Sequence, residues 1–325
     1  MIPVVPKFAT VHSVISAWAR CDRVDVTASH LRGNRASLLS QDFSLGAQAA
    51  RLEAEVFKGR ITAAQLVDEH THVPLYASLM SPLAALGWRE HLLSMPTHRD
   101  TWAQGIRRLS TVEAPTLRRC PICVAQDRAR YGCAHWRVFH QWPVARHCVE
   151  HGVPLESHCA RCRVPFTRGH EPSLADDPCP VCGSDRGAVD PNEPPAGYWP
   201  LLRRMHGLLA GSAEPMSEIA RAAALRGVEP AQVGSKKIAA RLRAAVDRLL
   251  VQWNLTSMEQ LAALLGVNWI WFNEAERSGH MKESPPLISL ALMAANPLRG
   301  SAISESTGAS GDAIASEAPV ASVQN

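Results

Sequence analysis

Between Cys120 and Cys182 the chain carries four ligand pairs, CPIC, CVEH, CARC and CPVC, each with its two metal-binding side chains three positions apart. Two such ligands on one tight turn grip one edge of a tetrahedron, and a second pair closes the opposite edge. Taken in chain order, the pairs form one group of Cys120, Cys123, Cys148 and His151 and another of Cys159, Cys162, Cys179 and Cys182. The spacing alone also allows an interleaved pairing. Thiolate and imidazole donors in complete sets of four predict two structural zinc ions, with no coordination position left open for water. Such sites make a fold and do not perform chemistry.

The cysteine distribution bears on compartment. Eight of the nine cysteines fall in this segment, seven of them in the ligand pairs. Cys133 lacks a partner at the right spacing and reads as a small buried apolar residue. The opening MIPVVPKFATVHS has no basic stretch followed by a long apolar run. No segment approaches the roughly 20 apolar residues that cross a bilayer. A cytoplasmic bacterial protein with reduced, metal-bound thiols and no membrane partner is expected. The net charge of +4 permits contact with nucleic acid without demanding it.

Around this centre the chain divides into four parts. Residues 1–111 read as a helical domain. Val11, Val14, Ile15 and Trp18 recur at helical spacing, as do Leu45, Ala49, Leu52 and Val56, and Thr62 with Gln65 forms a capping box. Residues 112–190 are the double zinc module, closed by the Pro/Gly-rich DRGAVDPNEPPAGYWP. Arg118, Arg119, Arg128, Arg130, Arg137, Arg146, Arg161 and Arg163 crowd this module, so a basic face beside Trp136 and Trp142 is a candidate phosphate-binding surface. His135, His140, His147 and His158 fall outside the ligand spacing.

Residues 197–296 form a C-terminal helical domain with a basic helix from about Lys236 to Trp253. Lys236, Lys237 and Arg241 on that helix, with Arg128, Arg130 and Arg137, are the candidate nucleic-acid contacts. TSMEQLAALLGVNWIWFNEAERSG then reads as a helix-turn-helix: a Thr256–Glu259 capping box, Leu261, Ala262 and Leu265 inward, a turn at Gly266 and a second helix from Asn268 through Arg277. Trp269, Ile270, Trp271 and Phe272 make that second helix too apolar for ordinary base readout and predict a homodimer. Residues 297–325 have no apolar periodicity and read as a disordered tail. The expected fold class is therefore mainly α, with a central double zinc-finger or ribbon module and a C-terminal helix-turn-helix-like domain.

The order of these motifs resembles the TniQ family of transposon target-selection proteins. Its pattern is met by Cys120 to Cys123, His135-Trp136-Arg137, His140-Gln141 before Pro143, Cys148 to Gly152, and Cys159 to Cys162. Ser13, Ser16 and Arg20 match the family's opening step, although Ala17 stands where a tryptophan is usual and Trp18 follows one place late. His70-Thr71, Pro74 and Tyr76 follow in the family's manner, so the resemblance spans residues 10–182. The helical C-terminal part is more loosely similar to the longer, TnsD-like members. The resemblance implies a non-enzymatic adaptor. It would link a target, either attachment-site DNA or an RNA-guided CRISPR effector complex, to an AAA+ ATPase and through it to a transposase.

Absent motifs agree. The sequence has no G-x-x-x-x-G-K-[ST] loop, so ATP hydrolysis belongs to another chain. A zinc nucleobase deaminase would need H-x-E beside its P-C-x-x-C, and no histidine here is followed by glutamate two places on. A rubredoxin-like iron site is disfavoured by the CxxH pair. A zinc-containing helix-turn-helix transcription regulator is the alternative, but it leaves the larger metal module without a role.

Overall fold

The computed structural model describes residues 4–22, 48–78, 82–93, 116–142, 144–167, 172–189, 193–195, 197–213, 244 and 246–265. Among these residues the chain is mainly helical. The helices are α1 (Val11–Asp22), α2 (Gln48–Arg51), α3 (Ala63–His70), α4 (Val73–Ala77), α5 (Pro82–Leu93), α6 (Pro121–Tyr131), α7 (Tyr198–Ala210) and α8 (Met258–Leu265). The one sheet among the described residues pairs β1 (His158–Cys159) with β2 (Gly187–Ala188), antiparallel, with His158 opposite Ala188 and Cys159 opposite Gly187. No described helix is long and apolar enough to cross a membrane.

The N-terminal helices form where the apolar spacing places them. Val14, Ile15 and Trp18 of α1 are buried, and so is Ala17, which occupies the place of the family's usual tryptophan. Thr62 caps α3 as expected: its Oγ1 accepts from the Gln65 N–H at 3.1 Å, and its own N–H donates to Gln65 Oε1 at 2.9 Å. The stripe through Ala49, Leu52 and Val56 departs from a plain helix. After α2 it widens into a π-helical turn over Leu52–Val56, in which the Phe57 N–H reaches back to the Leu52 carbonyl at 2.9 Å. The extra residue in that turn swings Phe57 into the core, where its ring meets Trp18 edge-on at 5.1 Å. Leu45 lies outside the described residues.

Backbone pairing ties this helical layer to the metal-ligand segment. Thr10 N–H donates to the Trp136 carbonyl and Val138 N–H to the Phe8 carbonyl, both at 2.7 Å, forming a short antiparallel bridge. The serines of the opening motif complete the clamp. Ser13 Oγ accepts the Trp136 N–H at 2.7 Å, and Ser16 Oγ accepts the Ser173 N–H at 3.0 Å. Beyond Phe8–Thr10, His70 Nδ1 contacts the Ala9 carbonyl at 2.7 Å.

A contiguous apolar core runs through α1, α2, α3, α4, the ligands Cys120, Cys123 and Cys148, α7, the helical stretch over 246–252, and α8. Helix α7 packs on α4, and Trp253 lies so close to Gly197 that a Cβ there would fall 1.7 Å from its Nε1. A smaller cluster gathers Leu117, Ala134, Trp136, Phe166 and Ala175 around Cys159 and Cys179.

The C-terminal expectations meet the structure in part. Helix α8 is present, but its cap sits one residue later than expected. Ser257 Oγ accepts the Gln260 N–H at 3.3 Å, and Gln260 Oε1 accepts the Thr256 N–H at 2.9 Å. Ser257 therefore takes the capping position assigned to Thr256, and Gln260 the part assigned to Glu259. Met258, Leu261 and Leu264 face the core. The side chains of Ala262 and Leu265, the second helix from Asn268 to Arg277, Lys236, Lys237, Arg241 and residues 297–325 lie outside the described residues.

One buried titratable group makes the clamp sensitive to acid. The Ser173 N–H points at His12 Nε2 at 3.3 Å, so that nitrogen holds a lone pair and the ring is neutral. Burial lowers the His12 pKa from 6.5 to about 4. The unfolded chain takes up this proton near pH 6.5, which the folded chain resists. The stability contribution is therefore full above pH 6.5 and is lost as pH falls through about 4. Urea unfolding at pH 7 and pH 5, with bound metal measured in parallel, should show about 2 kcal/mol more acid loss in the native chain than in His12→Asn.

Candidate metal centres

The first ligand group forms where a helix start meets a knuckle. Cys120 is the N-cap of α6, Pro121 occupies the first turn without needing an N–H partner, and Cys123 follows one turn on. Opposite, Cys148 and His151 sit on a tight turn in which the Gly152 N–H donates to the Cys148 carbonyl at 2.8 Å and the Cys148 N–H to Val153 at 2.8 Å. His151 presents Nδ1, at 3.6 Å from Cys120 Sγ, 3.3 Å from Cys123 Sγ and 3.4 Å from Cys148 Sγ. Cys123 and Cys148 Sγ are 3.7 Å apart.

The second group is built from two more knuckles of the same design. Arg163 N–H donates to the Cys159 carbonyl and Gly183 N–H to the Cys179 carbonyl, both at 2.9 Å. The β1–β2 pair sets one knuckle beside the other, leaving Cys159 and Cys182 Sγ 3.5 Å apart and Cys162 and Cys179 Sγ 3.4 Å apart. The structure thus selects the sequential pairing over the interleaved one. In each group all four donor atoms lie within 4.8 Å of one another.

This geometry fits a four-coordinate ion. Metal–sulfur bonds of about 2.3 Å around a tetrahedron put sulfur atoms about 3.8 Å apart, close to the separations here. The ionisation of the first group makes the same point. Cys120 is held as the thiolate by hydrogen bonds from Cys123 and Cys148. That leaves the others reluctant: the contact with Cys120, then with Cys148, pushes the Cys123 thiol up, and the contact with Cys120 pushes Cys148 up to about 11. A bound cation is what lets all three ionise together. Each group could therefore hold one metal ion.

None of the four extra histidines enters a group. His135 stands beside Asp127, His140 is buried, His147 packs edge-on to Tyr198 at 5.5 Å, and His158 Nδ1 meets Ser157 Oγ at 2.8 Å. Cys133 is likewise no ligand of either group. It is half-buried and not the enclosed apolar residue expected, because it follows the exposed, left-handed Gly132 that ends α6; its Sγ lies 3.9 Å from His135 Nε2.

The basic run divides sharply. Arg118 donates to the carbonyls of Ala145 and Trp142 at 2.8 and 2.5 Å, so it is internal. Arg119 is buried: it bonds Glu156 at 3.1 Å, the carbonyls of Ala175 and Asp177 at 2.7 and 3.3 Å, and that of Asp185, while its guanidinium lies 3.7 Å over Phe166. Neither belongs to a phosphate-binding face. Arg137 is half-buried and held by buried Asp127 at 2.5 Å. Arg128 is exposed and bonded to Asp176 at 3.1 Å; Arg130 is exposed, 5.3 Å from the Tyr131 ring centre.

Sequence reasoning missed Arg119, Asp127 and Gln141 as framework residues. Gln141 accepts the Arg118 N–H at 2.8 Å and donates to the carbonyls of Arg118 and Arg137 at 2.8 and 2.9 Å. Its place in the His-Gln motif was the available signal.

The knuckles also differ in one strained position. The residue four places after the first ligand is left-handed in all three: Gly152 at φ +69°, Gly183 at +70° and Arg163 at +60°. Only glycine takes this conformation without a Cβ clash. Arg163→Gly should therefore raise the stability of the metal-loaded protein by about 0.5–1 kcal/mol, whereas Gly152→Ala and Gly183→Ala should lower it by about 1 kcal/mol, read from denaturant midpoints. An unchanged midpoint in Arg163→Gly would show that the arginine bears no strain.

No curated protein matches the chain. Residues 11–155 match the model of the TniQ family. The matched segment opens at the first residue of α1, takes in the Ser13 and Ser16 clamp and the whole first ligand group, and ends just before Glu156. The buried serines, Gln141 and the CxxHG knuckle that carry the resemblance are the residues that hold this segment together. Over residues 11–155 the chain is therefore similar to the TniQ family.

Proposed function

We propose that this protein is a non-enzymatic target-selection adaptor that links a target to an AAA+ transposition ATPase and, through it, to a transposase. The TniQ match over residues 11–155 carries this reading. Two features support it: both metal groups offer four protein ligands, a closed arrangement suited to structural ions, and the chain has no phosphate-binding loop for ATP of its own. The target is DNA, an RNA-guided CRISPR effector complex, or both in turn. Arg128 and Arg130, with Lys236, Lys237 and Arg241, would contribute phosphate contacts, which position without specifying. Arg137, already held by Asp127, would contribute least.

Zinc is the ion we assign to both groups, on the strength of three thiolates with an imidazole in one and four thiolates in the other. Elemental analysis of the purified chain should return two zinc ions per chain. Cys120→Ser should lose one ion together with cooperative unfolding, since its group lies in the main core. A single ion, or iron, overturns the assignment.

The chain is further proposed to be a homodimer through Trp269, Trp271 and Phe272, an apolar cluster too large to leave in water. Size-exclusion chromatography with light scattering tests both associations at once. The chain alone should elute as a dimer, and with an AAA+ transposition ATPase as a larger complex. A clean monomer rejects the dimer. Absence of any complex with the ATPase rejects the adaptor.

A further inference from the structure

Three guanidiniums of the module lie on the second metal group. Arg161, Arg163 and Arg186 are exposed, and none has an ion-pair partner among the described residues. By contrast Arg20, Arg119, Arg128 and Arg137 each hold a carboxylate. Backbone hydrogen bonds place the three together on the second metal group. Ala160 N–H donates to the Arg186 carbonyl at 2.9 Å, Arg161 N–H points at Cys159 Sγ at 3.3 Å, and Arg163 N–H closes the same knuckle onto the Cys159 carbonyl. The neighbouring acids Glu156, Asp176 and Asp177 are taken by Arg119, Arg128 and Arg20, which leaves Asp185 as the exposed carboxylate beside them.

Arg163 is the informative member. It occupies a left-handed position where the other two knuckles have glycine, and its side chain is exposed with no ion-pair partner among the described residues. A residue held in an unfavourable backbone conformation, with its charge in solvent, points to a role outside the fold.

We propose that the tip of the second ligand group, through Arg161, Arg163 and Arg186, is a docking surface for the phosphate backbone of duplex DNA. The inference rests on the target-selection reading and moves its phosphate contacts away from the engaged Arg128 and Arg137, beyond the matched segment. Duplex DNA is the fitting partner because three guanidiniums with no ion-pair partner among the described residues, held on one pair of knuckles, offer bidentate donors to phosphates.

A second explanation has the same charges at work. Four thiolates with a dication leave two negative charges, which nearby guanidiniums would offset. The experiment separates the two. Binding of a labelled random-sequence DNA duplex to the full zinc-loaded chain is measured across a salt series for the native chain, for Arg161→Gln/Arg163→Gly/Arg186→Gln, and for Arg203→Gln, an exposed arginine on α7. The triple variant should keep two zinc ions while its log Kd against log salt slope falls by about two to three, near 0.9 for each phosphate no longer neutralised. Arg203→Gln should leave the slope unchanged. An unchanged slope in the triple variant overturns the proposal, and so does a fall that appears only with loss of the second zinc ion. If the native chain binds no duplex at all, direct DNA contact fails as part of the proposed function, and this surface fails with it.

Discussion

Cys120, Cys123 and Cys148 are buried among aliphatic and aromatic side chains, where three thiolates would repel one another and be cut off from water. A bound cation would let all three ionise there, so the first group is part of the core and not an ornament on it. This explains the unusual character of α6. Its buried residues are Cys123 and Asp127, with no apolar stripe to seat it. The Cys120–Cys123 ligand pair at its start and a buried carboxylate near its middle seat it instead. Asp127 accepts both the His135 N–H at 3.2 Å and the Arg137 guanidinium, which fixes the return of the chain after the helix.

The second group is attached differently. Its own small cluster is too slight to position it, and polar contacts from Arg119 take over. That side chain leaves the backbone one residue before the first ligand of the first group and ends on the carbonyls of Ala175, Asp177 and Asp185, which bracket the knuckle of the other. The Arg119–Glu156 backbone bridge, at 2.9 and 2.8 Å, adds a second tie. Glu156 also crosses so close to Gly187 that a Cβ there would fall 2.4 Å or less from it. A glycine at 187 is therefore required by crowding, not by backbone conformation.

Much of this was legible in the chain, because its strongest signals are local. Ligand pairs three residues apart, the Thr62–Gln65 cap and the α1 stripe each involve a few neighbouring residues, and each appears in the structure. What escaped depends on partners distant in sequence. A run of arginines reads as a basic face until Asp127, Glu156 and Asp176 are brought against it, and nothing in the spacing says they will be. The π-helical turn is illegible for another reason: Leu52 and Val56 satisfy an ordinary helical period equally well, and the demand of the core for Phe57 decides the matter. At α8 two hydroxyl residues stand side by side, and the side chain of Gln260 chose between them.

Tyr198, the first residue of α7, sends its hydroxyl to the backbone N–H groups of Arg146 and His147, at 2.8 and 3.0 Å, immediately ahead of the Cys148 knuckle. Behind it Leu201, Leu202, Met205 and Trp253 enter the same apolar core as α1 and α3. The stretch that matches the family and the stretch that excludes water are therefore of different lengths. A chain cut at the end of the matched segment would bare the face that α7 covers and leave two amide hydrogens beside the ligand turn facing solvent. The helices beyond residue 197 thus serve as a wall of the apolar core that the matched segment shares.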